Sequence, residues 1–136
     1  GCDTDPEKKF DHGWLCDAKG AILESTKELT SHRPVLWDAD PQHELIARGR
    51  ITDYKSKVAL PPEVKGSIKL VADVIGDWRE EIVTFTNGEL RIYSTTILAQ
   101  DRRVSLMQDP IYRHSVTTRT MGYSHVPQVS YYLGEK

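Results

Sequence analysis

The chain has 136 residues, 28% of them charged, with 18 Lys and Arg against 20 Asp and Glu, a formal net charge of −2. So even a balance gives no footprint for nucleic acid or an anionic membrane surface. No apolar run approaches the roughly 18 residues that a membrane span requires, and the length suits one ordinary domain.

In chain order, the first feature is an acidic loop, Asp3-Thr4-Asp5-Pro6. Trp14-Leu15-Cys16 and Ala21-Ile22-Leu23 then read as two strands around a Lys19-Gly20 turn. Residues 23–29 carry some helical character. A second acidic loop, Asp38-Ala39-Asp40-Pro41, leads into the apolar pair Leu45-Ile46. Leu60-Pro61-Pro62 is a loop, because consecutive prolines remove ladder donors. Residues 68–74 form a strand candidate that ends in a third acidic loop, Asp73-Val74-Ile75-Gly76-Asp77. Glu81-Ile82-Val83-Thr84-Phe85-Thr86 is rich in β-branched and aromatic residues. Asn87-Gly88 supplies the left-handed positions of a two-residue turn, and Leu90-Arg91-Ile92-Tyr93 returns as its partner, the strongest hairpin signal in the chain. Residues 104–107, 115–119 and 129–133 are further strand candidates. Cys2 and Cys16 are either one disulfide or two small buried side chains.

The acidic loops at Asp3, Asp38 and Asp73 lie 35 residues apart, and Asp109-Pro110 follows 36 further on. Short strands at that interval with little helix predict an all-β fold, blades of a β-propeller with repeats starting near 3, 38, 73 and 109. Three to four repeats fall short of a closed propeller of roughly 4–8 blades. The chain is therefore expected to be part of a larger propeller, with other blades from the same or another chain. A Gly at position 1 instead of an initiator Met fits a processed or internal start. The competing reading is a small β-sandwich in which the spacing is coincidence. Trp14, Trp37 and Trp78 occupy similar repeat positions and are expected in the core between blades. The carboxylates Asp3, Asp5, Asp38, Asp40, Glu44, Asp73, Asp77, Glu80 and Glu81 are candidate ligands for calcium, which takes 6–8 oxygens from such turns. The competing reading of each loop is an Asp capping its own turn. The five histidines lack zinc-type spacing.

The stretch from Ala72 to Val83, with Gly76-Asp77-Trp78-Arg79-Glu80-Glu81 at its centre, resembles the C-terminal signature of the family 11 rhamnogalacturonan lyases. So do Arg91-Ile92-Tyr93-Ser94-Thr95-Thr96, the Leu106–Arg113 stretch, and the tail from Gly122-Tyr123 to Tyr131-Tyr132-Leu133-Gly134. Upstream, Leu36-Trp37-Asp38-Ala39-Asp40 with Glu44-Leu45 is a looser match. The resemblance covers most of the chain and is strongest from Asp73 onward.

That resemblance implies an eight-bladed, calcium-binding propeller in an extracellular enzyme. Its partner would be an acidic plant cell-wall polysaccharide, the rhamnogalacturonan backbone of pectin, in which rhamnose alternates with galacturonate. The implied reaction is β-elimination: a base removes the C5 proton of galacturonate and the C4 oxygen leaves, after the neighbouring carboxylate has been neutralised. Lys65 falls where the family has a catalytic lysine, and Tyr123 on its C-terminal tyrosine. His125 and Arg79 are candidates for substrate binding, Arg79 being weighed against a structural ion pair. A family arginine would lie before Gly1, which leaves a second reading open: a non-catalytic, calcium-binding propeller module that holds a polysaccharide or protein.

Overall fold

The computed structural model describes residues 13–17, 19–26, 29, 32–119, 121–122 and 125–134. Its regular structure is mostly strand. Among the described residues nine strands form three antiparallel sheets, and a 3₁₀ turn and a helix follow them. The chain divides into two compact units, Gly1–His32 and Arg33–Lys136.

In the first unit β1 (Gly13–Cys16) pairs with β2 (Ile22–Thr26), with Gly13 opposite Thr26 and Trp14 opposite Ser25. The connecting turn is the expected one. Asp17 Oδ1 accepts the amides of Lys19 and Ala21, and Gly20 takes φ +86°. The helical character read in residues 23–29 is not realised up to Thr26, because ladder pairing with β1 overrides a short stretch of helix formers. Trp14 is 55% exposed, unlike the core position expected for it.

The second unit begins with a four-stranded meander: β3 (Arg33–Val35), β4 (Glu44–Ala47), β5 (Arg50–Thr52) and β6 (Ala59–Leu60). Its β4–β5 link is a two-residue turn, with Ala47 opposite Arg50 and with Arg48 (φ +50°) and Gly49 (φ +79°) both left-handed. A three-stranded meander follows: β7 (Ser67–Ala72), β8 (Glu81–Thr86) and β9 (Glu89–Tyr93). The Asn87-Gly88 turn forms as read, with φ of +46° and +83° and Thr86 opposite Glu89. β9 ends the sheet, and Phe85, Leu90 and Ile92 near that edge are 47, 66 and 57% exposed.

Neighbouring residues on the chain feed two cores, as the strand period of two requires. Val35, Trp37, Ile46, Ile51, Val71 and Ile82 fill one. Leu36, Ala72, Trp78, Leu106, Tyr112 and Val116 fill the other. Trp78 is buried at φ +71°, a costly conformation for a bulky residue. Its amide is held by Asp73 Oδ2 at 3.2 Å, its indole N–H donates to Asp101 O, and Arg103 stacks over its ring.

The end of the chain departs from the repeat. Residues 115–119, expected as a strand, lie inside α1 (Pro110–Arg119), and 104–107 run into a 3₁₀ turn (Leu106–Gln108). Asp109-Pro110 is a helix start. Asp109 Oδ1 accepts the Ile111 amide at 2.8 Å, and Pro110 opens the helix where a missing N–H costs nothing. Tyr112 and Val116, four apart, are the buried face. Residues 129–133 form no strand; Asp109 Oδ2 accepts the Ser130 amide at 2.5 Å there. The repeat start expected near 109 is thus a helix N-terminus.

Candidate functional site

Two acidic loops of the second unit share one construction. In each, a glutamate at the head of the following strand reaches back to two consecutive amides. Glu44 Oε2 accepts Trp37 N at 2.7 Å and Asp38 N at 3.3 Å. Glu81 Oε2 accepts Val74 N at 3.0 Å and Ile75 N at 3.1 Å. The structural equivalence therefore runs through Glu44 and Glu81, 37 residues apart, rather than through the 35-residue step of the aspartates. The other oxygen, Oε1, is buried without a hydrogen bond in both glutamates.

The loops differ in what surrounds that orphaned oxygen. In the first, Asp38, Asp40 and Glu44 each bring an oxygen within 4.8 Å of the others, the one such group among the described residues. Burial, with the Asp38 charge adding to it, pushes the fully buried Glu44 carboxyl up to about 7, and burial also raises that of Asp38. Among the described residues the ion pair here is Lys55 Nζ to Asp40 at 3.7 Å, on the exposed side. Three carboxylates, one oxygen of them dehydrated and unpartnered, are a donor set that fits a hard divalent cation.

The second loop has its own donors. Asp73 accepts five bonds: from the amides of Gly76 and Asp77 at Oδ1, and from those of Trp78 and Leu106 and the Ser105 hydroxyl at Oδ2. Asp77 pairs with Arg79, whose guanidinium also donates to Ile97 O. Arg79 is 9% exposed, so the structure places this substrate-binding candidate inside the loop as a counter-charge to Asp77. Glu80 accepts Leu36 N at 3.0 Å and the Tyr112 hydroxyl at 2.6 Å, and that hydroxyl accepts Asp73 N at 3.0 Å. Burial raises the Glu80 carboxyl to about 7 and pushes the Tyr112 phenol far up. Asp73, Asp77, Glu80 and Glu81 are thus not drawn into one group with an open centre, as Asp38, Asp40 and Glu44 are.

Lys65 stands apart from both loops. Its amide donates to Tyr93 Oη at 3.1 Å, and its carbonyl accepts the Thr84 hydroxyl at 2.9 Å. One residue earlier, Val64 is buried and its amide donates to Gly49 O at 2.7 Å. The backbone is thereby fixed to β8, β9 and the β4–β5 turn while the lysine side chain is exposed. Tyr93, whose phenol the Lys65 backbone draws down, was legible as a strand residue but not as this support. His125 is exposed, with Nε2 at 3.1 Å from the Thr118 hydroxyl. Tyr123, Asp3, Asp5 and Cys2 lie outside the described residues.

Residues 3–136 match the sequence model described as rhamnogalacturonan lyase family 11, C-terminal domain. Two Bacillus subtilis proteins are similar to the chain. Rhamnogalacturonan endolyase YesW is 33% identical over 98% of this chain and 24% of its own length. Rhamnogalacturonan exolyase YesX is 30% identical over 88% and 23%. The crystal structure of rhamnogalacturonan lyase YesW superposes on 90% of this chain and 23% of that one, with a TM-score of 0.73 at 34% identity. The chain spans about a quarter of the length of these relatives.

Proposed function

Because the chain belongs to rhamnogalacturonan lyase family 11, through the C-terminal domain of that family, we propose that it forms part of an enzyme that cleaves the rhamnogalacturonan backbone of pectin by β-elimination. The mounting of Lys65 carries the reading: three elements hold its backbone and leave its amine in solvent. The Lys65 amine takes the C5 proton of galacturonate. The C5–H electrons become the C4=C5 double bond, the C4–O4 bond breaks, and the leaving oxygen picks up a proton. Tyr123, the second candidate, is assigned to that proton or to holding the leaving sugar.

Calcium fits Asp38, Asp40 and Glu44. When bound it would offset the buried charge of Glu44 and lock the loop onto the head of β4, and it takes no part in the elimination. The three sheets are read as propeller blades, completed by sheets from the rest of the protein. A substrate in the plant cell wall implies an extracellular enzyme.

The test is the full-length protein mixed with rhamnogalacturonan, following the ultraviolet absorbance of the new double bond, with calcium and with chelator. A rise abolished by Lys65→Ala is expected. A flat trace across several uronate polymers, in a folded sample, overturns the lyase in favour of a non-catalytic module.

A further inference from the structure

A cavity of about 420 Å³ opens between the β4–β5 turn and the segment after β6, lined by Arg48, Arg50, Leu60, Pro61 and Glu63 among others. We propose that it is a subsite for a second galacturonate carboxylate of the same polymer, held by Arg48 and Arg50. The assignment rests on the lyase reading above.

Three observations lead to it. First, Arg48 and Arg50, one on either side of Gly49 in the chain, both line the cavity, and no hydrogen bond or ion pair engages either guanidinium among the described residues. A guanidinium fork grips a carboxylate bidentately, which an ammonium cannot do. Second, the lining carries two arginines against one acid, Glu63, and so favours an anion. Leu60 and Pro61 add an apolar wall against which the C–H face of a sugar ring can lie. Third, the cavity is physically joined to Lys65. Its wall at Glu63 leads through Val64, tied to Gly49 O, to Lys65, no more than about 7 Å of chain. The junction is tight: a Cβ on Gly49 would come within 2.4 Å of Val64 O. A backbone that alternates neutral and acidic sugars carries its next carboxylate two sugars beyond a galacturonate at Lys65, and that carboxylate is the one assigned to this turn.

The test uses the full-length protein with Arg48→Asn, Arg50→Gln and the two combined; Asn tolerates the left-handed backbone of position 48. On rhamnogalacturonan the double variant is expected to raise KM about tenfold, the loss of a charge-assisted bidentate contact, with kcat within about twofold. In a Lys65→Ala background, calorimetry with an oligosaccharide of several repeats should show the same loss of affinity, whereas one of a single repeat should bind both forms equally. Matching KM values and affinities in parent and double variant overturn the subsite, as does an equal loss of affinity, in the Lys65→Ala background, for a carboxyl-reduced oligosaccharide. If the parent shows no absorbance change, the lyase reading falls, and calorimetry alone decides the subsite. Should the double variant melt early, the Arg50→Gln variant, altered only at an exposed strand position, is read in its place.

Discussion

Tyr112 joins three segments through one hydroxyl, donating to Glu80 and accepting from Asp73 N, all of it buried. Tyr112→Phe therefore strands two polar groups and is expected to cost about 1–3 kcal/mol, read from the urea midpoint at unchanged m-value. Glu80 sets a pH dependence of definite sign. Its carboxyl is raised from 4.5 to about 7 on folding. Its contribution is full below about pH 4.5 and is lost as pH rises through about 7. Stability measured in chelator should fall across that window, and Glu80→Gln should flatten the fall; a profile unchanged by that substitution would refute the assignment. Glu44 carries the metal prediction: calcium should raise the melting temperature, and Glu44→Gln should abolish most of that rise. The carboxylates were all legible in the sequence. That Asp73, Asp77, Glu80 and Glu81 share no centre was not, because it depends on donors far along the chain, such as the Leu36 amide and the Tyr112 hydroxyl, that no local pattern announces.

Among the elements, the hairpins teach most. Asn87-Gly88 was readable because both residues accept a left-handed backbone cheaply. Arg48-Gly49 makes the same kind of turn with only one such residue, so the sequence signal was halved and the turn went unread. Gly49→Ala is expected to destabilise by about 2 kcal/mol or more, since it meets both a left-handed φ and the Val64 carbonyl. The same change should lower activity more than stability alone explains, because the segment carrying Lys65 must move; scanning calorimetry beside initial rates separates the two. The last stretch misled for a physical reason. Ser115-Val116-Thr117-Thr118 has strand-like composition, yet Asp109 and Pro110 start a helix upstream, and burial of Tyr112 and Val116 overrides the weak local preference.

At the scale of the molecule, the mostly-β architecture followed from turn chemistry and β-branched runs, and the family from the segment around Trp78. The left-handed backbone at Trp78 is what that segment encodes: Asp73 must be placed to hold an amide that the ordinary helical or extended conformation would point elsewhere. Among the described residues no strand pairs with the far side of β9, and this has a practical outcome. An open row of amides and carbonyls beside Phe85, Leu90 and Ile92 is a template on which a second copy can stack. Expressed by itself, this stretch should show light scattering that climbs with concentration and falls when Leu90 and Ile92 are replaced by lysine.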